Sequence, residues 1–433
     1  MIYFGTDGIR GTVGEDITQE IAFRCGNSLA SLKPNLKIVV ATDTRTSADF
    51  LFTSFASGAT MAGASIVFVG VAPTPVVSFL TRELKADFGV MITASHNPPC
   101  DNGIKIFNEN GEKIDLKTQT QIERGFAKQK MTKVLRLGKI VYKPKLLNKY
   151  IKFVTKNCPK LDGLKVVLDL SNGASSKTAY KIFKKLDASV TKINFSKNGR
   201  VVNKNCGALH PEGLAKEVVK QKADVGFAFD GDADRVVMID EQGNVCNGDQ
   251  ILIYLANMYK KYNLLHTDAV VGTILSNFAL EKELKKINLK LIRTDVGDHN
   301  VEKELCIKKL QIGGEQAGHI ILFDYERTGD GVFCATQICK FIKLSKTSIS
   351  KSIFKNFVPQ YTKNIKTDKK FEIVNSLQYK NAVDECEKMI KNKGRIVTRA
   401  SGTENIVRIM IECEDENIIK TIFEKLEKVC TEI

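Results

Sequence analysis

The chain has 433 residues, 43 % of them hydrophobic, and a formal net charge of +16, enough length for about three domains. Its lysines are dispersed, without aromatic interleaving or a basic repeat, which reads as a solvated surface that draws small anions, with no nucleic-acid partner. The longest apolar run, 64–80, is broken by Pro73 and Pro75, no signal peptide opens the chain, and the eleven cysteines include no C-x-x-C pair, so a membrane span and a disulfide framework are both excluded and a reducing cytoplasm is expected.

Taken in chain order, strand-like runs at 36–43, 164–170 and 268–275 are each followed by a polar loop, a helical stretch and a second strand, at 64–69, 188–193 and 289–294. This is a βαβ theme used three times. The last part differs: 394–412 reads as strand, loop, strand, followed by a helix over 416–429, a smaller α+β unit. Composition places boundaries near the Lys-rich stretch 128–149, near Gly248 and within 356–370. The expected domains are therefore 1–150, 151–247, 248–355 and 356–433.

Four loops between these elements carry chemistry. An apolar run at 88–92 leads straight into TASHNPPCDNGIKIF (93–107); Asn97-Pro98-Pro99 blocks helix, leaving the Ser95 hydroxyl on a rigid loop at a strand end. In VGFAFDGDADRVVMID (225–240), Asp230, Asp232 and Asp234 recur every second residue between two strand-like runs. Carboxylates about 4 Å apart repel by about 4 kcal/mol per pair in a partly screened site, so the loop wants a divalent cation. Oxygen-only ligands favour Mg²⁺. An EF-hand would place Asp230, Asp232, Asp234 and Glu241 at loop positions 1, 3, 5 and 12, but Arg235 stands where the turn needs Gly and the flanks are strand-like. GGEQAGH (313–319) brings Glu315, Gln316 and His319 together as partners for sugar hydroxyls. RASGTENIVR (399–408) joins Arg399 and Arg408 to Ser401, Gly402 and Thr403, donors suited to a phosphate.

These segments, with the opening FGTDGIRG (4–11), resemble in order the motifs of the α-D-phosphohexomutase family over nearly the whole chain. The resemblance implies an α/β fold of four domains around a central cleft, three similar mixed α/β domains and a C-terminal α+β domain. It also implies a phosphoserine at Ser95, one Mg²⁺ held by Asp230, Asp232, Asp234 and a phosphoryl oxygen on Ser95, and Arg10, Lys105 and Arg235 lining the transfer site. His96 and His319 join Lys105, Arg10 and Arg235 as candidates for the base, which the sequence leaves unassigned. FGTDGIRG and Gln316 are closest to the family's amino-sugar branch, which interconverts glucosamine 6-phosphate and glucosamine 1-phosphate through a bisphosphorylated sugar and feeds UDP-N-acetylglucosamine and peptidoglycan precursors. The expected partner is thus a hexosamine phosphate, and the expected state a monomer or homodimer. A glucose or mannose phosphate is the alternative substrate, and a non-catalytic sugar-phosphate binder the alternative class.

Four positions depart from the family pattern: Ala317 where Ser is common in the sugar loop, Asn405 where Pro follows Glu404, His299 where the amino-sugar branch has Arg, and Pro99-Cys100 beside the serine loop. They leave Ser95, the aspartates and the phosphate-loop arginines in place.

Overall fold

Strand Lys37–Thr42 reads KIVVAT because it lies inside a sheet, and all but its first residue are buried; such strands read as apolar runs and not as an alternation. The computed structural model that contains it describes residues 3–5, 7–126, 132, 136–354, 356–391, 393–401 and 405–433. Two units are separable: Met1–Thr273 with Thr294–Ile353, and Ile274–Arg293 with Phe354–Ile433.

The first unit contains three sheets. In the first, the strand order is Ile9–Thr12, Asp101–Phe107, Phe88–Ile92, Lys37–Thr42, Ser65–Val71, Ile140–Tyr142. Its centre is parallel, while Asp101–Phe107 runs antiparallel to both its neighbours. Helix Gln19–Ala30 packs on Ala48–Met61 and on Leu116–Phe126, burying Leu29, Phe55, Ile122 and the sheet residues Ile38 and Val90 in one core. The second sheet has the order Val245–Cys246, Val236–Ile239, Val225–Phe229, Lys165–Asp169, Ser189–Ile193. Val225–Phe229 and Val236–Ile239 form an antiparallel hairpin whose connection carries the three aspartates. In the third, Ala269–Thr273 is parallel to Ile312–Gly314, which pairs antiparallel with Ile320–Leu322.

In the second unit, Ile406–Cys413 lies between Gln360–Lys366 and Gly394–Ala400, antiparallel to both. Helices Leu377–Met389 and Glu416–Glu432 bury Tyr379, Ile422 and Leu426 against Ile409 and Ile411. The chain therefore has three mixed-sheet α/β portions followed by an α+β portion, the α/β class expected from the repeat.

Two readings change. The segment 101–107, part of the serine loop by sequence, is a strand: Ile104 and Ile106 alternate with Lys105, a period-2 signal that Asp101, Asn102 and Gly103 obscure. The Lys-rich stretch 128–149 is not only a connection, because Ile140–Tyr142 adds a parallel edge strand to the first sheet. The apolar run 64–80 becomes all of strand Ser65–Val71 and most of helix Thr74–Glu83, with Pro75 in the helix's first turn. Among the described residues, no helix is long and apolar enough to cross a membrane.

Candidate active site

Ser95 is fully buried and sits in the left-handed region at φ 53°, a conformation costing a non-glycine residue about 1–2 kcal/mol. The surrounding contacts hold it there. Its N–H donates to Thr93 Oγ1 (2.9 Å), and Thr93 Oγ1 donates to Asp43 Oδ2 (2.7 Å). Asp43 also accepts from Arg45 Nε at 2.9 Å, and both side chains are fully shielded. The Arg45 guanidinium then donates to the carbonyls of Ser95 (3.0 Å), Asn97 (2.8 Å) and Asp101 (2.8 Å), and to that of Pro98. Asn203 Nδ2 adds bonds to the Ser95 and Asn97 carbonyls at 2.8 and 3.1 Å. One cation thus gathers four carbonyls of a loop too irregular to satisfy them itself.

The aspartate loop packs directly on this serine. Ser95 Oγ donates to Asp230 Oδ2 at 2.6 Å. A Cβ on Gly231 would lie 2.6 Å from the Ser95 carbonyl oxygen, so only glycine admits this approach. Asp232 Oδ2 accepts from Thr74 Oγ1 (2.6 Å) and from Lys105 Nζ (2.8 Å), and Lys105 Nζ reaches Asp234 Oδ2 at 2.6 Å and Asp7 at 3.3 Å. Burial, then the charges of Asp234 and Asp232, push the Asp230 carboxyl well above the usual range. Burial acts the same way on Asp234, but Lys105, His319 and Arg235 together outweigh it and hold Asp234 at about 2. Burial would lower the Lys105 ammonium, yet Asp232, Asp234 and Asp7 raise it, so it stays charged.

Around this centre lies a belt of ion pairs. Asp7 pairs with Arg10 and Lys113, and Lys113 pairs with Asp298. Arg235 donates its backbone N–H to Asp230 Oδ1 (3.2 Å), and its Nε lies 3.9 Å from Asp234. His96 Nδ1 is 3.4 Å from Ser95 Oγ; burial, then Arg235 and Arg10, depress the ring to about 4, so it is neutral at pH 7. Glu315 Oε1 accepts from Gly297 N–H at 3.0 Å, at the N-cap of helix Asp298–Lys308, whose first residues are Asp298 and His299. Gln316 is half-buried and gives its carbonyl to Gly248 N–H at 3.0 Å.

Among the described residues, two clusters have ligand atoms close enough to share a metal: Asp230, Asp232 and Asp234, and Asp234, Asp298 and His319. Their donor chemistry separates them. In the first, Asp232 Oδ1 and Asp234 Oδ1 are buried without a hydrogen-bond partner, and the carboxylates repel one another. That set fits a hard divalent cation. In the second, His319 Nε2 accepts from Gly329 N–H at 2.9 Å, which leaves the ring proton on Nδ1, facing Asp298 Oδ2 at 3.5 Å. An N–H cannot ligate a metal, so His319 is a fixed donor. Gly329 is glycine for this contact, since a Cβ would come within 2.3 Å of Nε2.

The phosphate-loop residues lie in the second unit. Arg399 and Arg408 are directly opposed in the antiparallel register of Gly394–Ala400 and Ile406–Cys413. Like charges so placed destabilise a sheet unless an anion lies between them. Arg408 Nε donates to Asn364 Oδ1 (3.0 Å), and Ser401 N–H to the Ile406 carbonyl (3.0 Å). Gly402 and Thr403 lie outside the described residues. Asn405 is tied by its side chain to Asp368 (3.0 Å) and by its carbonyl to Thr367 N–H (2.9 Å).

Sequence reasoning thus named Ser95, His96, Arg10, Lys105, Arg235, the aspartates, Glu315 and His319, and the structure places all of these in the first unit. It missed Arg45, Thr74, Asn203, Lys113 and Asp298. Arg45 had a usable signal, a charged residue three positions after an apolar strand in ATDTR; Asn203 stands in a polar turn and Thr74 opens helix Thr74–Glu83 between two prolines, neither with a pattern of its own.

The chain belongs to the phosphoglucomutase/phosphomannomutase family: the family's alpha/beta/alpha domains I, II and III match residues 1–133, 148–243 and 247–361, and its C-terminal domain matches 363–429. Within it, the phosphoglucosamine mutase of Clostridium acetobutylicum is 41 % identical over 97 % of this chain and 96 % of the relative. That of Nautilia profundicola is 40 % identical over 99 % and 98 %. Among solved structures, a phosphoglucomutase/phosphomannomutase family protein from Burkholderia thailandensis superimposes with TM-score 0.81 at 20 % identity, over 99 % of this chain and 96 % of that one. The Aspergillus fumigatus N-acetylphosphoglucosamine mutase in complex with GlcNAc-6P and magnesium does so with TM-score 0.65 at 14 % identity, over 99 % and 95 %.

Proposed function

We propose that the chain interconverts glucosamine 6-phosphate and glucosamine 1-phosphate, with Ser95 as the phosphoryl carrier. The carrying observation is the Ser95 hydroxyl, buried on Asp230 and flanked by Lys105 through the aspartate loop. The amino sugar as substrate is supported by about 40 % identity, along almost the entire chain, to relatives named phosphoglucosamine mutase. On this reading the domain limits are 1–150, 151–247, 248–355 and 356–433, and the product feeds UDP-N-acetylglucosamine synthesis in the cytoplasm.

Phosphorylated Ser95 adds about 1.5–2 negative charges where the unmodified hydroxyl now donates to Asp230. Asp230, Asp232 and Asp234 would hold Mg²⁺ there, which when bound neutralises that charge and withdraws electrons from the transferring group. In the forward half-reaction a sugar hydroxyl attacks phosphorus, the P–O bond to Ser95 Oγ breaks, and the hydroxyl proton passes to a base. Lys105, Arg10 and Arg235 are cations and stabilise the charge spread over the phosphoryl oxygens. His96, neutral and with Nδ1 3.4 Å from Ser95 Oγ, is a base candidate in its Nε2–H tautomer. Glu315, Gln316 and the fixed Nδ1–H donor of His319 suit sugar hydroxyls. Arg399, Ser401, Gly402, Thr403 and Arg408 bind the substrate's standing phosphate, relieving the opposed arginines. The bisphosphorylated sugar then turns end for end, and Ser95 takes back the other phosphoryl group.

The test is coupled turnover of glucosamine 6-phosphate, glucose 1-phosphate and mannose 1-phosphate by pre-phosphorylated protein with Mg²⁺. Preference for the amino sugar is expected. Preference for either other sugar moves the chain to a glucose or mannose mutase, and turnover of none rejects the catalytic reading.

A further inference from the structure

Behind the serine loop, on the side of the Asp43–Arg45 pair away from Ser95, lies a cavity of about 470 Å³ that the mutase reading leaves unused. Its volume falls within the range of small-molecule sites, about 300–1,000 Å³. It opens beyond the C-terminal ends of Lys37–Thr42 and Ser65–Val71 in the first sheet and of Lys165–Asp169 and Ser189–Ile193 in the second. Crevices beyond the carboxyl ends of parallel strands are where doubly wound folds bind ligands.

The lining has a definite chemistry. Lys177, Lys192 and Lys197 contribute three positive charges, and none of them has a carboxylate partner among the described residues. Asp43 is neutralised by Arg45, so Asp49 is the opposing charge. Phe195 stands 47 % exposed at the wall, with Lys192 Nζ 4.1 Å from its ring centroid. The first turns of Ala48–Met61 and Ser175–Lys185 also border the cavity, and neither has a side-chain cap, so the positive ends of both helix dipoles add potential of the same sign.

We propose that this cavity is a second ligand site, for a nucleoside diphosphate: the ring stacks on Phe195, and the lysines take the phosphates. Its floor is the Asp43–Arg45 pair, and Arg45 carries the Ser95, Asn97 and Asp101 carbonyls. Thr44, beside them, donates to the Asn172 carbonyl at 2.6 Å and so joins the two walls. An occupant therefore bears on the groups that fix the serine loop, and binding tightens that loop. The site itself is independent of the mutase reading; only an effect on turnover rests on it.

The experiment is titration calorimetry of the full chain with ADP and UDP, with pyrophosphate and adenosine as half-ligands, together with hydrogen exchange over residues 94–103. One nucleotide per chain, at least tenfold weaker binding in Lys177→Glu/Lys197→Glu, at least threefold weaker binding in Phe195→Ala, and slower exchange of 94–103 on binding are expected. The lysine variant should keep wild-type unfolding and wild-type basal turnover. No saturable binding below about 1 mM overturns the proposal, as does binding unchanged in the lysine variant. Pyrophosphate binding as tightly as the nucleotides rejects the ring's role and with it the ligand class. Binding lost in Arg408→Ala but kept in the lysine variant moves the anion to the phosphate loop and rejects this site. A chain that turns over no sugar phosphate yet shows these binding losses rejects the mutase reading and leaves the site standing.

Discussion

Ser95 Oγ donates to Asp230 Oδ2 at 2.6 Å, across 135 positions of sequence, so the serine after a strand of one sheet and the first carboxylate of another sheet's hairpin form one contact. The consequence for the backbone is testable. Ser95→Ala and Ser95→Gly both remove the hydroxyl and should both abolish turnover and phosphate incorporation. Glycine adopts φ 53° without strain, so Ser95→Gly should be more stable than Ser95→Ala by about 1 kcal/mol. Urea unfolding of the two variants checks this, and equal midpoints would show that the left-handed conformation costs nothing.

Lys105 separates the metal's role from the transfer. Lys105→Met leaves Asp7, Asp232 and Asp234 without their shared cation, and breaking such a buried pair costs about 3–5 kcal/mol. Thermal unfolding in EDTA should show that loss. Mg²⁺ should restore more stability to the variant than to the wild type, because it no longer competes with an ammonium 2.6–2.8 Å from the same oxygens. Turnover should still be lost, because Lys105 no longer faces the phosphoryl oxygens; a variant unable to bind Mg²⁺ in calorimetry would show that Lys105 is needed to build the cation site itself.

Arg45 acts on the reaction through the serine loop. Arg45→Met strands the buried Asp43 and frees four carbonyls, so stability should fall by about 3–5 kcal/mol. A displaced nucleophile should lower kcat about a hundredfold with KM little changed, and Arg45→Lys should recover part of kcat. A rise in KM with kcat intact would place Arg45 in substrate binding instead.

A pH dependence follows from Asp330, which accepts from Tyr150 OH at 2.7 Å and caps Gly331–Ser345. Burial raises its carboxyl from 3.8 to about 6 against those hydrogen bonds. The folded state therefore holds the proton more tightly than the unfolded one. Its contribution is fully present below the unfolded value and is lost as pH rises through about 6. Asp330→Asn, which cannot ionise, should gain on the wild type by about 3 kcal/mol between pH 3.5 and 7. Urea midpoints across that range measure the difference, and a constant gap would mean that Asp330 ionises normally.

The sequence revealed most where a local pattern existed. Alternating Asp230, Asp232 and Asp234 between apolar runs announced both the hairpin and its cation site, and the three βαβ passages announced the sheets. Asp101–Phe107 was hidden because two of its first three residues, Asn102 and Gly103, disfavour strand and only pairing with both neighbours decides it. Arg45, Asn203 and Thr74 were hidden for another reason: Asp43 beside Arg45 apart, their partners are backbone carbonyls and a carboxylate 50 or more positions away, and no spacing encodes such contacts. The tautomer of His319 was likewise invisible, since the deciding donor is the backbone of Gly329.

The support of Ser95 is staggered along the chain. Asp43, Arg45 and Thr93, which fix the serine's backbone, all precede it, whereas Asn203 and Asp230 follow it by more than a hundred positions. A chain made from its N-terminus and folding portion by portion thus assembles one half of the Ser95 support early in synthesis, long before the ribosome has delivered Asn203 and Asp230, the contacts that complete it.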